Sequence, residues 1–273
     1  MVSRDRTRLV VLMMPAGIMF LAFFLLPMAK LAVVGAQGED GLAAYLSLLT
    51  KPRHAESMIA TILLSISVTL VAMIISSFVG VFLVRNRFPG QEALISMLTF
   101  PLAFPGVVIG FMVILLAGRQ GLIGTVTDLA IGEKVVFAYS IGGLFIGYLY
   151  FSIPRVILTV MATAEKLDPA LEEAARSLGA PPWRVILDVV VPALKPGLIA
   201  SGAICFATSM GAFGTAFTLA TNIDVLPMTI YTEFTLNANI AGAASMSIVL
   251  GLVTWVALFI ARGLSGSGVA ASG

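Results

Sequence analysis

The chain has 273 residues, of which 59% are hydrophobic and only 11% are charged, and its net charge is +2. A soluble domain needs more charge to cover its surface, so this composition and a mean hydropathy of +1.05 indicate an integral membrane protein. The single cysteine, Cys205, excludes an intrachain disulfide and a cysteine-ligated metal site, and the small net charge gives no sign of a nucleic-acid partner.

Six apolar stretches are long enough to cross a bilayer as helices. The hydrocarbon core of a bilayer is about 30 Å thick, which takes about 20 residues of helix. Because the connections between the stretches are short, we expect an all-α membrane protein, a six-transmembrane-helix bundle without a separate soluble domain. The stretches lie at 9–34, 57–84, 94–117, 135–162, 197–220 and 241–261.

The first stretch follows three arginines, at positions 4, 6 and 8, in the manner of a signal peptide. Its apolar run is longer than the core of a signal peptide, about 7–15 residues, so we interpret it as a retained first helix. The chain is then divided into an N-terminal helix with an external loop (1–56), a core of five helices (57–262) and a flexible cytoplasmic tail (263–273).

The distribution of lysine and arginine predicts the orientation of the helices. Positive residues concentrate in cytoplasmic loops, and with the N-terminus inside, eleven of the sixteen fall on the inner side. Both termini and the polar passage at 165–196 are therefore expected in the cytoplasm. The eleven are Arg4, Arg6, Arg8, Arg85, Arg87, Arg155, Lys166, Arg176, Arg184, Lys195 and Arg262.

Two features of the third and fourth stretches concern packing. Pro101 and Pro105 remove backbone donors near the inner end of the third stretch, which predicts a local break there. Glycines spaced four apart allow helix backbones to approach closely. We therefore predict close helix packing at two glycine pairs, Gly106 with Gly110 and Gly143 with Gly147.

The passage LDPALEEAARSLGA, at 167–180, has the signals of a short amphipathic helix. Asp168 suits the N-cap, Pro169 suits the first helical position, and Gly179 suits a left-handed residue just past the end. Glu172 and Glu173 lie four and three residues before Arg176, which is the spacing of helical ion pairs. An apolar stripe runs along Leu171, Ala174, Ala175 and Leu178.

The next passage, PPWRVILDVVVP, repeats this pattern along a second stripe of Trp183, Ile186, Leu187 and Val190. We expect Pro192 and Pro196 to break the chain before the fifth membrane helix begins. The two passages together then form a helix–turn–helix on the cytoplasmic face.

This segment has two candidate surfaces to dock on, lipid headgroups or another protein. Helices that lie in the headgroups are rich in lysine and arginine, whereas this segment carries as many acids as bases. Glu172 and Glu173 are poorly suited to an anionic leaflet. We therefore favour a protein partner.

The same residues resemble the EAA-x3-G-x9-I-x-L-P signature of the permease subunits of binding-protein-dependent ABC importers of the type I class. The match consists of Glu173-Ala174-Ala175, Gly179 and Val189-x-Val191-Pro192, in which two valines replace isoleucine and leucine. The resemblance extends over 57–262. It implies a coupling helix between membrane helices 4 and 5 that sits in a cleft on an ATP-hydrolysing subunit. The implied coupling residues are Glu172, Glu173, Ala174, Ala175, Arg176, Gly179, Ala180 and Pro192.

The resemblance also implies partners in a bacterial inner membrane. The chain lacks the phosphate-binding motif G-x-x-x-x-G-K-[ST], so ATP and Mg²⁺ are expected on a separate ABC ATPase, present in two copies. The chain itself is then a transport subunit without catalytic residues, cofactor or metal site. A second six-helix permease completes the pathway, and an extracytoplasmic solute-binding protein delivers the solute.

The transported solute is less well determined. The passage at 209–231 resembles the subfamily that handles spermidine/putrescine, ferric iron, thiamine, phosphonates and sulfate. Asn222, Asp224 and Glu233 are expected at the outer mouth, where they either attract a cation or are ordinary solvated residues, and we favour a polyamine such as spermidine or putrescine.

The spans offer few polar candidates for the pathway. For each of them, a hydroxyl bonded to its own helix backbone is the alternative interpretation. The candidates are Tyr148, Ser152, Thr208, Ser209, Thr215 and Thr218.

Two other classes fit less well. An ion-coupled secondary transporter needs acids or histidines inside the membrane as a relay, and an intramembrane hydrolase needs a serine–histidine pair there. The spans contain almost no such residues. The one histidine, His54, falls in the first outer loop, where we expect a solvated side chain.

Overall fold

The computed structural model describes residues 12–38, 40–219 and 223–265, and this part of the chain contains helices and no strand. The helices are numbered here in chain order. Their bounds are α1 Leu12–Gly35, α2 Gly41–Thr50, α3 Pro52–Arg85, α4 Gln91–Thr99, α5 Gly106–Ala117, α6 Leu122–Ile131, α7 Ile141–Ala164, α8 Pro169–Ser177, α9 Pro182–Met210, α10 Phe213–Leu219, α11 Leu226–Thr235 and α12 Ile240–Ser265.

Six helical segments among these residues are long and apolar enough to cross a membrane, the number predicted from the sequence. Four of them, α1, α3, α7 and α12, overlap the predicted stretches closely. The fourth begins at Ile141 rather than 135, because Ser140 caps the helix by accepting a hydrogen bond from the Gly143 N–H. The six segments are Leu12–Gly35, Pro52–Arg85, Gly106–Ile131, Ile141–Ala164, Pro182–Met210 and Ile240–Leu264.

The third predicted stretch is not one helix. A 3-10 turn at Phe100–Ala103 follows α4, and the chain is extended at Phe104 before α5 begins at Gly106. The residue before a proline is pushed out of the helical region, so Pro105 accounts for the break. The predicted stretch ended at residue 117, but the chain turns after Gly118 and continues as α6.

The prediction of a break at Pro192 and Pro196 was wrong. Helix α9 runs without interruption from Pro182 to Met210 and includes both prolines. A π-helical turn at Ile186–Val190 precedes Pro192, and the Val191 N–H donates to the Ile186 carbonyl five residues back. This wider turn accommodates a proline ring that would clash in a regular α-helical turn.

The chain divides into two compact units, one within Met1–Ala55 and Thr229–Leu252 and the other within Glu56–Met228 and Val253–Gly273. In the first unit, His54 is only 8% exposed, and its Nε2 lies 3.8 Å from Glu233 Oε1. The expectation of a solvated histidine was therefore wrong. The Glu233 carboxylate also accepts hydrogen bonds from Asn237 (3.0 Å) and Asn239 (2.8 Å), so it already has partners within its own chain. Asn222, which was expected near it, lies outside the described residues.

The second unit has an apolar core in which helices approach closely at glycines. A Cβ atom on Gly110 of α5 would lie 2.5 Å from Thr218 Cβ of α10, and one on Gly147 of α7 would lie 2.7 Å from Thr215 Cγ2. The close packing predicted from the glycine spacing is thus present at these glycines. It brings α10, a helix that sequence reasoning merged with the fifth span, against α5 and α7.

Candidate functional site

Helix α8 has the predicted start and stop. The Asp168 carboxylate accepts a hydrogen bond of 2.9 Å from the Ala170 N–H, and Pro169 occupies the first turn. At the other end the Gly179 N–H donates to Arg176 O (2.9 Å) and the Ala180 N–H donates to Ala175 O (3.1 Å). This pair of bonds is the Schellman arrangement, which satisfies carbonyls that a helix end leaves without partners.

Gly179 has a φ of +84°, in the left-handed region that favours glycine. A Cβ atom added there would meet no atom within 4 Å. The requirement for glycine is therefore one of backbone conformation and not of space. The turn directs the chain from α8 into α9.

The two neighbouring glutamates of α8 face different surroundings. Glu172 has a side chain only 12% exposed, and its two oxygens pair with Arg85 Nη2 and, at 3.4 Å, with Arg176 Nη2. Glu173 is exposed, and its carboxylate forms no ion pair within the described ranges. The predicted Glu172–Arg176 pair is confirmed, but Arg176 does not pair with Glu173.

A small buried cluster lies beneath the segment that links α7 to α9. Ala164 at the end of α7 and Leu167 of this segment pack with Val190 and Leu194 of α9, and the half-buried side chains of Val81 and Val84 from α3 close the cluster. Three membrane helices therefore hold the base of the segment. This packing fixes the position of α8 at the ends of these helices.

The predicted apolar stripe of α8 is mostly not covered by this chain. Leu171, Ala174 and Leu178 are exposed, Leu178 to 89%, while Ala175 is half-buried. We call Leu171, Ala174 and Leu178 the coupling face. Exposed apolar residues in a contiguous group at a polar surface indicate a contact with another molecule.

The second predicted stripe is divided. Val190 is buried in the cluster, whereas Trp183, Ile186 and Leu187 at the start of α9 are exposed. The Arg184 guanidinium lies 5.4 Å from the centre of the Trp183 ring, within reach of a cation–π contact. Pro192 is exposed inside α9, so it does not end the segment as expected.

The six pathway candidates lie on α7, α9 and α10, and four of their hydroxyls are bonded to backbone. Three of these bonds leave the candidate's own helix: Tyr148 donates to Ala212 O (2.6 Å), Thr215 donates to Gly106 O (3.0 Å) and Thr218 donates to Val107 O (3.3 Å). Thr218 also donates to Gly214 O (3.0 Å), and Thr208 donates to Cys205 O (3.0 Å). These hydroxyls have structural partners.

The remaining two candidates, Ser152 and Ser209, are buried and their hydroxyls have no hydrogen-bond partner in the described structure. The structure also places no group of three histidine, cysteine, aspartate or glutamate side chains together at a metal-binding distance among the described residues. Among the six pathway candidates, the groups without a partner are thus these two hydroxyls.

Sequence reasoning missed Arg85, which was counted only as a cytoplasmic charge. Arg85 and Glu172 are 87 residues apart in the chain, so no local spacing relates them. Arg85 is the last residue of α3, whereas its exposed neighbour Arg87 lies just after the helix. Only the packing of α3 beneath the α7–α9 segment brings the two side chains together.

Comparison with known proteins gives consistent results. Residues 72–266 match the family described as the binding-protein-dependent transport system inner membrane component. The molybdenum transport system permease protein ModB of Escherichia coli (strain K12) is 34% identical over 212 residues, which cover 75% of this chain and 92% of the relative. The putative 2-aminoethylphosphonate transport system permease protein PhnU of Salmonella typhimurium is 29% identical, over 91% of this chain and 88% of its own.

The fold is also that of a solved transporter. One chain in the crystal structure of a bacterial alginate ABC transporter, in complex with an alginate pentasaccharide-bound periplasmic protein, superimposes with a TM-score of 0.82. The match covers 97% of this chain and 96% of that chain at 19% sequence identity. At this identity the likeness concerns the fold alone, which is the type I permease fold predicted from the sequence.

Proposed function

The chain belongs to the family of binding-protein-dependent transport system inner membrane components, and from this premise we propose that it imports a small oxyanion by engaging an ATPase through its coupling face. It is a permease subunit of an ABC importer. The observation that supports the engagement is the exposed apolar group on α8, Leu171, Ala174 and Leu178, above a cluster built from three membrane helices.

In the proposed mechanism, α8 acts as a rigid coupling helix. Leu171, Ala174 and Leu178 enter a cleft of the ATPase, and Glu173 supplies a polar contact at its rim. The capped ends at Asp168 and Gly179 keep the helix intact, so that a displacement of the ATPase moves it as one body. ATP and Mg²⁺ are bound by the ATPase, in two copies, and not by this chain.

The remaining partners follow from the same proposal. A second six-helix permease, identical or homologous, forms the other half of the pathway, and an extracytoplasmic solute-binding protein delivers the solute. Both termini lie in the cytoplasm, because this orientation places eleven of the sixteen lysines and arginines inside. The core at 57–262 carries these contacts.

The choice of an oxyanion replaces the polyamine favoured from the sequence. Relatives named for molybdenum and for 2-aminoethylphosphonate transport give no support to a polyamine. Molybdenum(VI) in neutral water is a tetrahedral oxyanion, and a phosphonate group is tetrahedral and anionic as well. In addition, Glu233, which would have attracted a cation, is enclosed by His54, Asn237 and Asn239.

Arg155, within the membrane helix α7, has a side chain that can bind such an anion. Arg155 lies within α7, is half-buried and forms no ion pair among the described residues. A charged group within a membrane helix is costly unless it faces water or a partner, and a guanidinium binds oxyanions through paired N–H donors. We include Arg155 in the proposed pathway, together with the hydroxyls of Ser152 and Ser209.

Uptake by the assembled transporter tests the solute class. Proteoliposomes that contain this chain, its ATPase and second permease, supplied with the binding protein, are expected to accumulate one of radiolabelled molybdate, sulfate or 2-aminoethylphosphonate. Arg155→Gln is expected to raise the KM for that anion about tenfold, the loss of one charge-assisted contact, while Arg119→Gln, an exposed arginine, leaves KM unchanged. Uptake of spermidine and of no oxyanion would overturn this proposal.

Gly179 provides a test of the coupling helix. Valine at a φ of +84° is strained by about 1–2 kcal/mol or more, so Gly179→Val is expected to unwind the end of α8 and lower solute uptake about tenfold. Asparagine tolerates this conformation better than other side chains, so Gly179→Asn should lower uptake by no more than about twofold. Immunoblots of membranes check that both variants are inserted. Equal uptake by the two variants would contradict the dependence of transport on the left-handed backbone conformation at position 179.

A further inference from the structure

The pair formed by Arg85 and Glu172 joins a membrane helix to the coupling helix. Arg85 is the last residue of α3, and its Nη2 donates to Glu172 Oε1 in the first turn of α8. The two side chains are 25% and 12% exposed. An ion pair shielded to this degree from solvent interacts more strongly than a fully exposed surface pair.

Glu172 is fully engaged by its own chain. Its second oxygen, Oε2, accepts from Arg176 Nη2 at 3.4 Å, so each carboxylate oxygen has a cationic partner. Glu173 alongside it is exposed and has no such partner among the described residues. Glu172 therefore faces inward towards α3, and Glu173 is the acid that remains for an external contact.

The end of α3 is fixed by further contacts. The side chains of Asn86 and Gln91 donate to the last-turn carbonyls of Phe82 (2.9 Å) and Leu83 (2.5 Å), and the Asn86 N–H also donates to Phe82 O (3.0 Å). Val81 and Val84, both within about one turn of the end, pack on the cluster beneath α8. Arg85 is thus presented from a rigid position, and a shift of α8 must either carry the end of α3 with it or break the pair.

We propose that Arg85 and Glu172 are positioning residues that transmit the movement of the coupling helix to α3. The inference rests on the proposed engagement of α8 by an ATPase, and adds the path by which that engagement reaches the membrane. Arg85 and Glu172 touch neither solute nor ATPase. Through their pair, α8 and α3 move together when the ATPase closes.

The chemistry of the pair predicts how its variants behave. Reversing one charge places two like charges in a shielded site, which is unfavourable, whereas reversing both restores the attraction between positions 85 and 172. The double variant also places a like charge beside Arg176, but this side chain is 65% exposed, so the repulsion there is the weaker effect. The coupling between two charged partners is best measured by such a cycle of single and double variants. Arg87, an exposed arginine in the same turn with no ion pair among the described residues, provides the matched control.

The experiment uses the complete transporter in proteoliposomes, with Arg85→Glu, Glu172→Arg, the double variant and Arg87→Glu. Three quantities are measured: solute uptake, ATP hydrolysis, and retention of the ATPase on the purified permease. We expect each single reversal to lower the uptake per ATP hydrolysed at least about tenfold, which corresponds to about 1.4 kcal/mol. The double variant should recover uptake to within about threefold of the native chain, and Arg87→Glu should equal it.

The results separate this inference from the proposed function. If the native chain retains no ATPase, the proposed function fails before the cycle is measured. If the native chain is coupled but the single reversals transport normally, or the double variant recovers nothing, the ion-pair inference alone is overturned. If the charge-reversal variants do not fold, Glu172→Gln is measured instead, because it keeps the shape of the side chain. A several-fold loss of uptake by this variant supports the inference, and native uptake contradicts it.

Discussion

Replacement of Leu178 by glutamate is expected to release the ATPase from the transporter while the permease stays in the membrane. Leu178 is 89% exposed at the end of α8, so its own chain gains little from its apolar side chain. Burial of a leucine at an interface is worth about 1.5–3 kcal/mol. A carboxylate left without a partner in the same place adds a further penalty of about 1–3 kcal/mol.

Together these terms predict a loss of affinity for the ATPase of at least about 100-fold and a matching loss of uptake. Retention of the ATPase during purification and uptake in proteoliposomes measure the two effects. Ala93→Glu is the control, because Ala93 is also exposed, lies at the start of α4 and receives a glutamate as well. Native retention of the ATPase by Leu178→Glu would remove Leu178 from the coupling face.

Replacement of Gly110 by leucine is expected to destabilise the membrane core. The first side-chain atom alone would lie 2.5 Å from Thr218 Cβ and 3.0 Å from Thr218 Oγ1, so α5 and α10 would have to separate. Separation also breaks the bond of 3.3 Å from Thr218 to the Val107 carbonyl. Overpacking of this kind costs about 1–3 kcal/mol, and the lost hydrogen bond adds to it.

The expected fall in the midpoint of thermal unfolding is about 5–10 °C, from about 2–4 °C per kcal/mol for a chain of this size. It is measured on the detergent-solubilised permease by size-exclusion chromatography after heating. Gly251→Leu in α12 is the control, since a Cβ atom there meets nothing within 4 Å, and its midpoint should remain within about 2 °C. Equal midpoints for the two variants would contradict the close packing of α5 on α10.

Helix α8, for which we propose the coupling role, was predicted well because its signals are local. Asp168, Pro169 and Gly179 act on backbone groups within a few residues, and the structure shows the cap and the left-handed turn where these residues stand. The number of membrane helices was also predicted, since it depends on the length of apolar runs. Family membership followed from the spacing of the signature around Glu173 and Gly179 and is confirmed by the family match.

Other elements were misread because proline and glycine signal a break without deciding how the chain accommodates it. Pro105 interrupts the third stretch, as predicted, whereas Pro192 lies inside a continuous helix because a π-helical turn precedes it. The end of α9 at Met210 and the start of α10 at Phe213 divide what looked like one span. Each outcome depends on the hydrogen bonds available in the surrounding structure.

By itself the sequence determined the all-helical membrane fold, the position and ends of the coupling helix, and the family, because each depends on periodicity, capping or spacing along the chain. Only the tertiary structure decided which side of that helix is covered. Glu172 and Glu173 are adjacent and chemically identical, yet one pairs with Arg85 and the other is exposed. Neighbouring residues of a helix point in different directions. Arg85 at the end of α3, 87 residues before Glu172 in the chain, therefore pairs with only one of the two glutamates.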